Sequence, residues 1–351
     1  MPENTTRPPI TKKSFDACVY GSTPGGVAAA IEAARRGCRV VLACPKAHPG
    51  GMTASGLCTT DAVRTELFGG LVAEFVALVR SQYDKILPEQ SPDRALTRNG
   101  WFYEPSVAEA AFEQMLAAES DRLDFWRQHH LVDTQVQNGR LTRATFVSAK
   151  NERVEVEART FIDATYEGDL AASAKVPYRV GREGRAEFGE SKAGIHYMNW
   201  RTGEQIQTPD TGEPSPAIQA FCARSIFTDD SEQLVPIEKP ATYEEHLPDL
   251  LPLLEDFKSG RLKNFSYGAK LPRRKYELNG SITALTSSNC PGISWNWPEA
   301  NREHRQRLER FHIDHVASMI WFFQNQPGVP DHVAQLWRKT GLHRAEFKTT
   351  G

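Results

Sequence analysis

The chain has 351 residues, and its 42 Lys and Arg against 44 Asp and Glu give a formal net charge of −2. This length suffices for two domains, or for one large α/β domain with an insertion, and it can bury a core without disulfides or a metal. The near-neutral charge argues against nucleic acid as a partner, and no apolar run is long enough to cross a bilayer.

The six cysteines argue against a metal centre. They stand at positions 18, 38, 44, 58, 222 and 290, and no two have the C-x-x-C spacing that is typical of zinc or iron–sulfur sites. We therefore predict buried free thiols in a reducing compartment, a cytoplasmic location and no metal.

A βαβ unit is predicted where the ordered chain begins. The polar, Pro-rich residues 1–14 before it are predicted to be a disordered lead-in. The elements of the unit are a strand at 15–20, a glycine turn at 21–26, a helix at 27–36 and a second strand at 38–43. Two strands joined by one helix over so short a stretch pair in parallel.

The next predicted elements are two helices and an antiparallel meander. Ser106 and Glu109 have the spacing of a capping box and predict the start of the second helix. Asn138 and Gly139 predict a hairpin turn within the meander. The elements are helices at 71–83 and 107–119, strands at 140–147 and 154–162, and a return strand at 160–163.

The second half of the chain has a different character. Residues 186–300 are richer in Pro and Gly and have weak periodicity, which predicts an α+β region with long loops, typical of substrate recognition. Apolar residues at helical spacing predict a long helix over 299–325. Its His312 and His315 are predicted to be packed or solvent-facing residues, because no third metal ligand stands near them in sequence.

The glycine turn is a candidate dinucleotide site. A strand that passes through a glycine turn into a helix gathers backbone N–H groups and the positive end of a helix dipole, and both attract a pyrophosphate. In the G-x-G-x-x-G pattern, Gly21 and Gly26 take the first and third positions, and Thr23 replaces the second glycine. The alternative is a glycine turn in a parallel α/β protein that binds no nucleotide. A P-loop is rejected, because Val27 and Ala28 stand where Lys and Ser or Thr are needed.

The acid that usually binds a ribose hydroxyl is missing. The expected position at the end of the second strand is Cys44, and no Asp or Glu occurs between Glu32 and Asp61. A backbone or water contact could replace the carboxylate. Alternatively, Lys46 could bind a 2′-phosphate, which would indicate NADP.

Two further motifs change the interpretation. Gly50-Gly51-Met52-Thr53 follows the second strand, and the string DATYEGDLAASAKVPYRVGREG at 163–184 follows the meander. With the glycine turn, these motifs resemble the FAD-dependent oxidoreductase family of the glutathione-reductase-like flavoprotein superfamily, and within it the branch grouped with heterodisulfide reductase. Tyr166 stands where many flavoproteins have Gly. The resemblance covers residues 15–351.

The resemblance implies an α/β fold with a Rossmann-like FAD-binding domain, built from a parallel sheet and an antiparallel meander, and an inserted α+β substrate domain. It implies the N-terminal part of the FAD-binding domain at 15–185, a substrate or cap region at 186–300 and a helical return segment at 301–351. Because relatives continue with a long helix and a second FAD motif, the chain is expected to be truncated at its C-terminal end, with part of the FAD domain missing.

The same resemblance implies the cofactor contacts. FAD would place its pyrophosphate on the glycine turn. Residues 50–53, which we call the second loop, would run along the cofactor toward the flavin. The string at 163–184, which we call the third motif, would lie beside the adenosine half. The residues so implied are Gly21, Thr23, Gly25, Gly26, Gly50, Gly51, Met52, Thr53, Ala164 and Thr165.

The expected function is hydride or electron transfer between a small-molecule substrate and the flavin, with room for an electron-transfer partner. The alternatives are an NADP-dependent dehydrogenase and a truncated, non-catalytic remnant or binding module. No residue is predicted to be catalytic. Cys58 is predicted to be an inert thiol, and Arg273-Arg274-Lys275 a solvated basic loop.

Overall fold

A computed structural model describes residues 10–195, 211–265, 268–279, 286–290 and 292–348, together with the backbone of two short strands at 198–199 and 204–205. One sheet dominates the first half. Its strands are β1 (Ile10–Tyr20), β2 (Val40–Ala43), β3 (Leu123–Trp126), β4 (His130–Gln137), β5 (Arg140–Val147) and β6 (Arg153–Asp163). They lie in the order β3-β2-β1-β6-β5-β4. The first four are parallel and the last two pair antiparallel, so the predicted α/β class with a parallel sheet and a meander is confirmed.

The central strand β1 begins earlier than predicted. Residues 10–14 pair in parallel with residues 153–157 of β6, so the prediction of disorder is wrong for them. Their polar composition misled the prediction, because backbone hydrogen bonds of a sheet do not depend on apolar side chains. Residues 1–9 lie outside the described residues.

Helices lie between and after these strands in the chain. They are α1 (Pro24–Arg35), α2 (Gly51–Ala54), α3 (Gly70–Ile86), α4 (Pro92–Leu96), α5 (Pro105–Ala117), α6 (Asp169–Ser173) and α7 (Arg185–Phe188), with 3-10 turns at Thr65–Leu67 and Arg98–Gly100. Buried side chains of α1, α3 and α5 form one core with β1 and β2. The predicted capping box is wrong, because Pro105 takes the first helical position and moves the start of α5 to Glu104.

A second, antiparallel sheet forms in the other half. Its strands are β9 (Ile226–Thr228), β10 (Leu234–Val235), β11 (Lys270–Leu271), β12 (Lys275–Glu277) and β13 (Gly341–His343), in the order β10-β13-β9-β12-β11, and a separate pair joins β7 (Met198–Asn199) to β8 (Glu204–Gln205). The helices are α8 (Tyr243–Leu250), α9 (Pro252–Lys258), α10 (Arg302–Asn325) and α11 (Asp331–Arg338), with a 3-10 turn at Ile293–Asn296. Trp337 and Phe323 stack in the core that they share with β9.

The long helix α10 is confirmed, with Asn301 as its N-cap. His312 and His315 are buried on it, and His246 of α8 packs beside His315 with ring centroids 5.5 Å apart. We call His246, His312 and His315 the histidine cluster. Burial lowers the pKa of all three, so they are neutral near pH 7. No group of metal ligands occurs in the described part of the chain.

A buried ion cluster joins the two halves. Lys275 is 1% exposed, and its ammonium contacts Glu104 at 2.8 Å and also Glu346. Arg273 donates to the same Glu104 oxygen at 2.6 and 2.9 Å, and Ser106 donates to Glu346. We call Glu104, Arg273, Lys275 and Glu346 the Lys275 cluster. The prediction of a solvated loop is therefore wrong for Lys275.

Within the described ranges, no helix is long and apolar enough to span a bilayer.

Candidate functional site

The glycine turn brings the end of β1 against the end of β6. Gly21 has a φ of +101°, and a Cβ there would lie 2.6 Å from the Ala164 carbonyl oxygen. A Cβ at Gly26 would overlap the Gly21 carbonyl oxygen and lie 2.9 Å from the Ala164 Cβ. Both positions therefore require glycine, because any side chain would push α1 away from the strands.

Thr23 caps the helix that leaves this turn. Its hydroxyl accepts from the Gly26 N–H at 3.2 Å and donates to the Ala164 carbonyl at 2.8 Å. The side chain is thus bonded toward β6, whereas its replacement of a glycine had suggested that it would meet a phosphate. Beside it, a Cβ at Gly25 would find only the Thr23 Oγ1, at 3.9 Å. The first turn of α1 is therefore open at Gly25.

The second loop is hydrogen-bonded to the first. The Gly50 N–H donates to the Ser22 carbonyl at 2.7 Å, and the Ser22 hydroxyl donates to the Cys44 sulfur at 2.8 Å. Ser22 was not predicted as a site residue, although it connects the end of β2 with the second loop. No sequence signal marked it, since an x position of the glycine motif tolerates many residues.

The third motif is organised by its own carboxylate. Asp163 accepts from the Thr165 N–H and hydroxyl at 3.0 and 2.7 Å and from the Ala171 N–H at 2.8 Å. The Thr165 hydroxyl in turn accepts from the Gly168 N–H at 2.9 Å. Thr165 therefore shapes the loop between β6 and α6, and Ala164 is the residue of this motif that touches the glycine turn.

Tyr166 connects the third motif with the second loop. Its hydroxyl accepts from the Met52 N–H at 2.8 Å. A Cβ at Gly51 would overlap this hydroxyl and would lie 3.2 Å from the Thr23 Cα. Partial burial raises the pKa of Tyr166, so the phenol keeps its proton at neutral pH. The three predicted segments thus meet at the carboxyl ends of β1, β2 and β6, where ligands bind in open α/β sheets.

Several backbone donors remain in this cradle. The N–H groups of Gly50, Met52 and Thr53 are bonded to Ser22, Tyr166 and Gly50. In the described chain, the N–H groups of Ser22, Thr23, Gly25 and Gly51 have no hydrogen bond. Unpaired amides beside an open helix N-terminus suit an anionic group, so these residues fit the pyrophosphate of a dinucleotide.

Lys46, after the end of β2, is not free to bind a 2′-phosphate. Cys44 is buried against Ser22, and the ammonium of Lys46 is paired with Glu309 of α10. This pairing weakens the NADP alternative, which needed an unengaged Lys46.

The long helix α10 is attached to the third motif. Arg305 makes a bidentate pair with Asp169 at 2.7 and 2.8 Å, and the Trp297 indole N–H donates to Glu167 at 3.0 Å. Residues 163–170 and 297–305 lie far apart in sequence, and no spacing rule predicted that they would meet. These contacts fix the backbone on the C-terminal side of Tyr166.

The second loop leads from the cradle toward the other half. Tyr103 contacts Thr53 and Thr60 through its hydroxyl, and Gly56 packs against Arg224. Arg224 is paired with the buried Glu277, whose pKa is raised by burial. Cys58 is buried, and burial raises its pKa, which agrees with the prediction of an inert thiol.

The comparisons with known proteins bear on the cofactor. The sequence matches a family model described as FAD dependent oxidoreductase over residues 16–351. A search of curated proteins found no match. Among solved structures, the chain is similar to a geranylgeranyl bacteriochlorophyll reductase-like protein from Thermoplasma acidophilum, with 17% identity and a TM-score of 0.32 over 48% of this chain and 44% of that one.

Two other solved structures show comparable similarity. They are the glycerol-3-phosphate dehydrogenase from Bacillus halodurans complexed with FAD (14% identity, TM-score 0.32, 46% of this chain and 37% of that one) and the flavin-dependent brominase Bmp2 (12%, 0.35, 49% and 42%). The matches therefore span less than half of the length of these structures. The assignment of FAD as the cofactor rests on the match of the family model to residues 16–351.

Proposed function

Because the chain belongs to the FAD dependent oxidoreductase family, with FAD as its cofactor, we propose that the cradle at the ends of β1, β2 and β6 binds FAD and serves hydride or electron transfer with a small-molecule substrate. The observation that carries this proposal is the convergence of the glycine turn, the second loop and Ala164 around unpaired backbone amides.

The chain's own residues supply position and electrostatics. Gly21 and Gly26 let α1 approach the strands, so that the positive end of its dipole lies at the cradle. The N–H groups of Gly25 and Gly51 would donate to the pyrophosphate. When bound, FAD supplies an isoalloxazine ring that accepts a hydride or electrons from the substrate.

The substrate would approach from the other half of the chain. The second loop is followed by Gly56, which packs against Arg224, and residues 186–300 are the proposed substrate or cap region inserted into the FAD-binding fold. A small molecule and an electron-transfer partner are the proposed partners. Assignment to the branch grouped with heterodisulfide reductase rests on the third motif and stays a prediction, as does the cytoplasmic location.

The experiment is a FAD titration of the purified chain. Any bound cofactor is removed first, and binding is monitored by flavin fluorescence. In Gly25→Ala, the methyl group would project into the open cradle, while α1 would keep its cap. The methyl group would keep a phosphate away from the Gly25 N–H, and loss of one hydrogen bond to a charged group weakens binding by about tenfold or more. Gly69→Ala is the matched control, since nothing lies within 4 Å of a Cβ at Gly69 and its φ, like that of Gly25, is ordinary.

Two results would contradict the proposal. One is a wild-type chain that releases no flavin on denaturation and binds none in the titration. The other is a Gly25→Ala variant that binds FAD as tightly as wild type and Gly69→Ala do.

A further inference from the structure

Tyr166 reaches from the third motif to the second loop through its side chain. Its ring is 56% exposed, so burial of apolar surface contributes little to holding it in place. Its hydroxyl nevertheless bonds the Met52 N–H at 2.8 Å. An exposed tyrosine kept in a defined contact at a candidate cofactor site needs an explanation other than packing.

The backbone on both sides of Tyr166 is anchored. Thr165 is bonded through its N–H and hydroxyl to Asp163, and Glu167 accepts from the Trp297 indole. The position of the Tyr166 Cα is therefore set by β6 and by the segment before α10. From this fixed point the phenol extends to the second loop.

The Tyr166 hydroxyl contacts the second loop at Gly51 and Met52. The hydroxyl oxygen lies 2.3 Å from the position that a Cβ of Gly51 would take, and that position is 3.2 Å from the Thr23 Cα. Only a glycine at 51 lets the phenol, the second loop and the glycine turn come this close. Because the hydroxyl occupies the Met52 N–H, the unpaired donor that remains within residues 50–53 is the Gly51 N–H.

We propose that Tyr166 is a positioning residue, whose hydroxyl fixes the second loop against the glycine turn so that the Gly51 N–H is presented to FAD. This inference rests on the proposed function and extends it to a residue where many flavoproteins have glycine. The residue acts through Met52 and Gly51 and takes no part in the redox chemistry.

The test is the Tyr166→Phe variant, which removes the hydroxyl and keeps the ring. We expect FAD to bind about threefold to tenfold more weakly, the range for loss of one hydrogen bond. We also expect a changed visible circular dichroism of the bound flavin, because a freed loop holds the cofactor in a different geometry. The melting temperature of the cofactor-free protein should be unchanged, since the contact joins two surface loops.

Tyr178→Phe is the matched control. Tyr178 is 59% exposed, lies in the same stretch of sequence and donates to Glu299 at 2.8 Å, away from the second loop. Tyr178→Phe also loses one hydroxyl hydrogen bond, and its FAD affinity and flavin spectrum should match wild type.

A second variant pair tests the contact itself. Gly51→Ala places a methyl group on the Tyr166 hydroxyl and should weaken FAD binding more than Tyr166→Phe does. In Gly51→Ala/Tyr166→Phe the overlapping oxygen is gone and the nearest ring carbon lies 3.1 Å from the new methyl, so part of the affinity should return. A tyrosine that was free to move aside would give no such recovery.

The outcomes separate this inference from the proposed function. Wild type that binds FAD, with Tyr166→Phe equal to it or tighter, overturns the positioning role alone. Failure of the double variant to bind better than Gly51→Ala does the same. A wild-type chain that binds no FAD overturns the proposed function and the positioning role together.

Discussion

Replacing Lys275 with methionine should destabilise the protein strongly, although the volume of the side chain is nearly kept. Lys275 is fully buried between Glu104 and Glu346, so its loss leaves two carboxylates without their shared cation. Removing one partner of a buried ion pair costs about 3–5 kcal/mol, because the remaining charge is left uncompensated.

The structure indicates where in that range the loss should fall. Glu104 keeps its two hydrogen bonds to Arg273, at 2.6 and 2.9 Å. Glu346 keeps only the N–H and hydroxyl of Ser106, at 2.9 and 2.8 Å, and these donors carry no charge. One uncompensated carboxylate therefore remains, and we expect a loss of about 3 kcal/mol in the free energy of unfolding.

The assay is urea unfolding followed by tryptophan fluorescence, with Trp337 in the buried core of the second half. Lys275→Met/Glu346→Gln should be more stable than Lys275→Met by about 1–2 kcal/mol, because a neutral amide costs less to bury than a carboxylate. Lys239→Met is the control. It breaks the exposed pair with Glu244 and should change stability by less than about 1 kcal/mol.

Two results would refute this reasoning. Lys275→Met could lose no more stability than Lys239→Met, or the double variant could be no more stable than Lys275→Met. Either result would mean that the Lys275 cluster is hydrated in solution and does not hold the two halves together.

Three further outcomes are expected. Burial lowers the pKa of the histidine cluster, and the pKa of His343 falls to about 4, so the unfolded chain binds more protons than the folded one below pH 6.5. The melting temperature should therefore fall as the pH is lowered from 7.5 to 5, and a constant value would contradict the neutral, buried state of these rings. Arg305→Met should lose about 1–3 kcal/mol in urea unfolding and Arg305→Lys less, because the bidentate pair with Asp169 is lost in both but the charge only in the first; equal stability of all three proteins would argue against that pair. A brief thiol-labelling reaction read by mass spectrometry should modify the half-buried Cys38 and Cys222 before Cys58, and early labelling of Cys58 would show that it is accessible.

Local patterns predicted much of the first half. Alternating apolar runs and glycine turns predicted β5 and the βαβ unit, and Asn138 and Gly139 have the positive φ values that their hairpin turn requires. Patterns failed where a partner distant in sequence decides the conformation. Residues 10–14 are a strand because β6 lies beside them, and Ser106 bonds Glu346 and caps no helix.

The sequence by itself determined the class of site. Gly21, Gly26, Gly50 and Gly51 are needed because backbone or side-chain atoms of other residues occupy the space of a Cβ, and that requirement is written in residue identity. The sequence also determined the long helix α10, because helical periodicity is a local property. The cysteine spacing, which is local too, argued against a C-x-x-C zinc or iron–sulfur site.

Only the tertiary structure decided what holds the site together. Tyr166 reaches Met52, Trp297 reaches Glu167 and Lys275 reaches two carboxylates from other segments, and each contact joins residues that are far apart in the chain. From the sequence Arg273-Arg274-Lys275 alone, Lys275 is predicted to be solvated on a loop. Its burial follows from the packing of the second sheet against the start of α5, because a charge is kept out of water only where folding brings opposite charges to it.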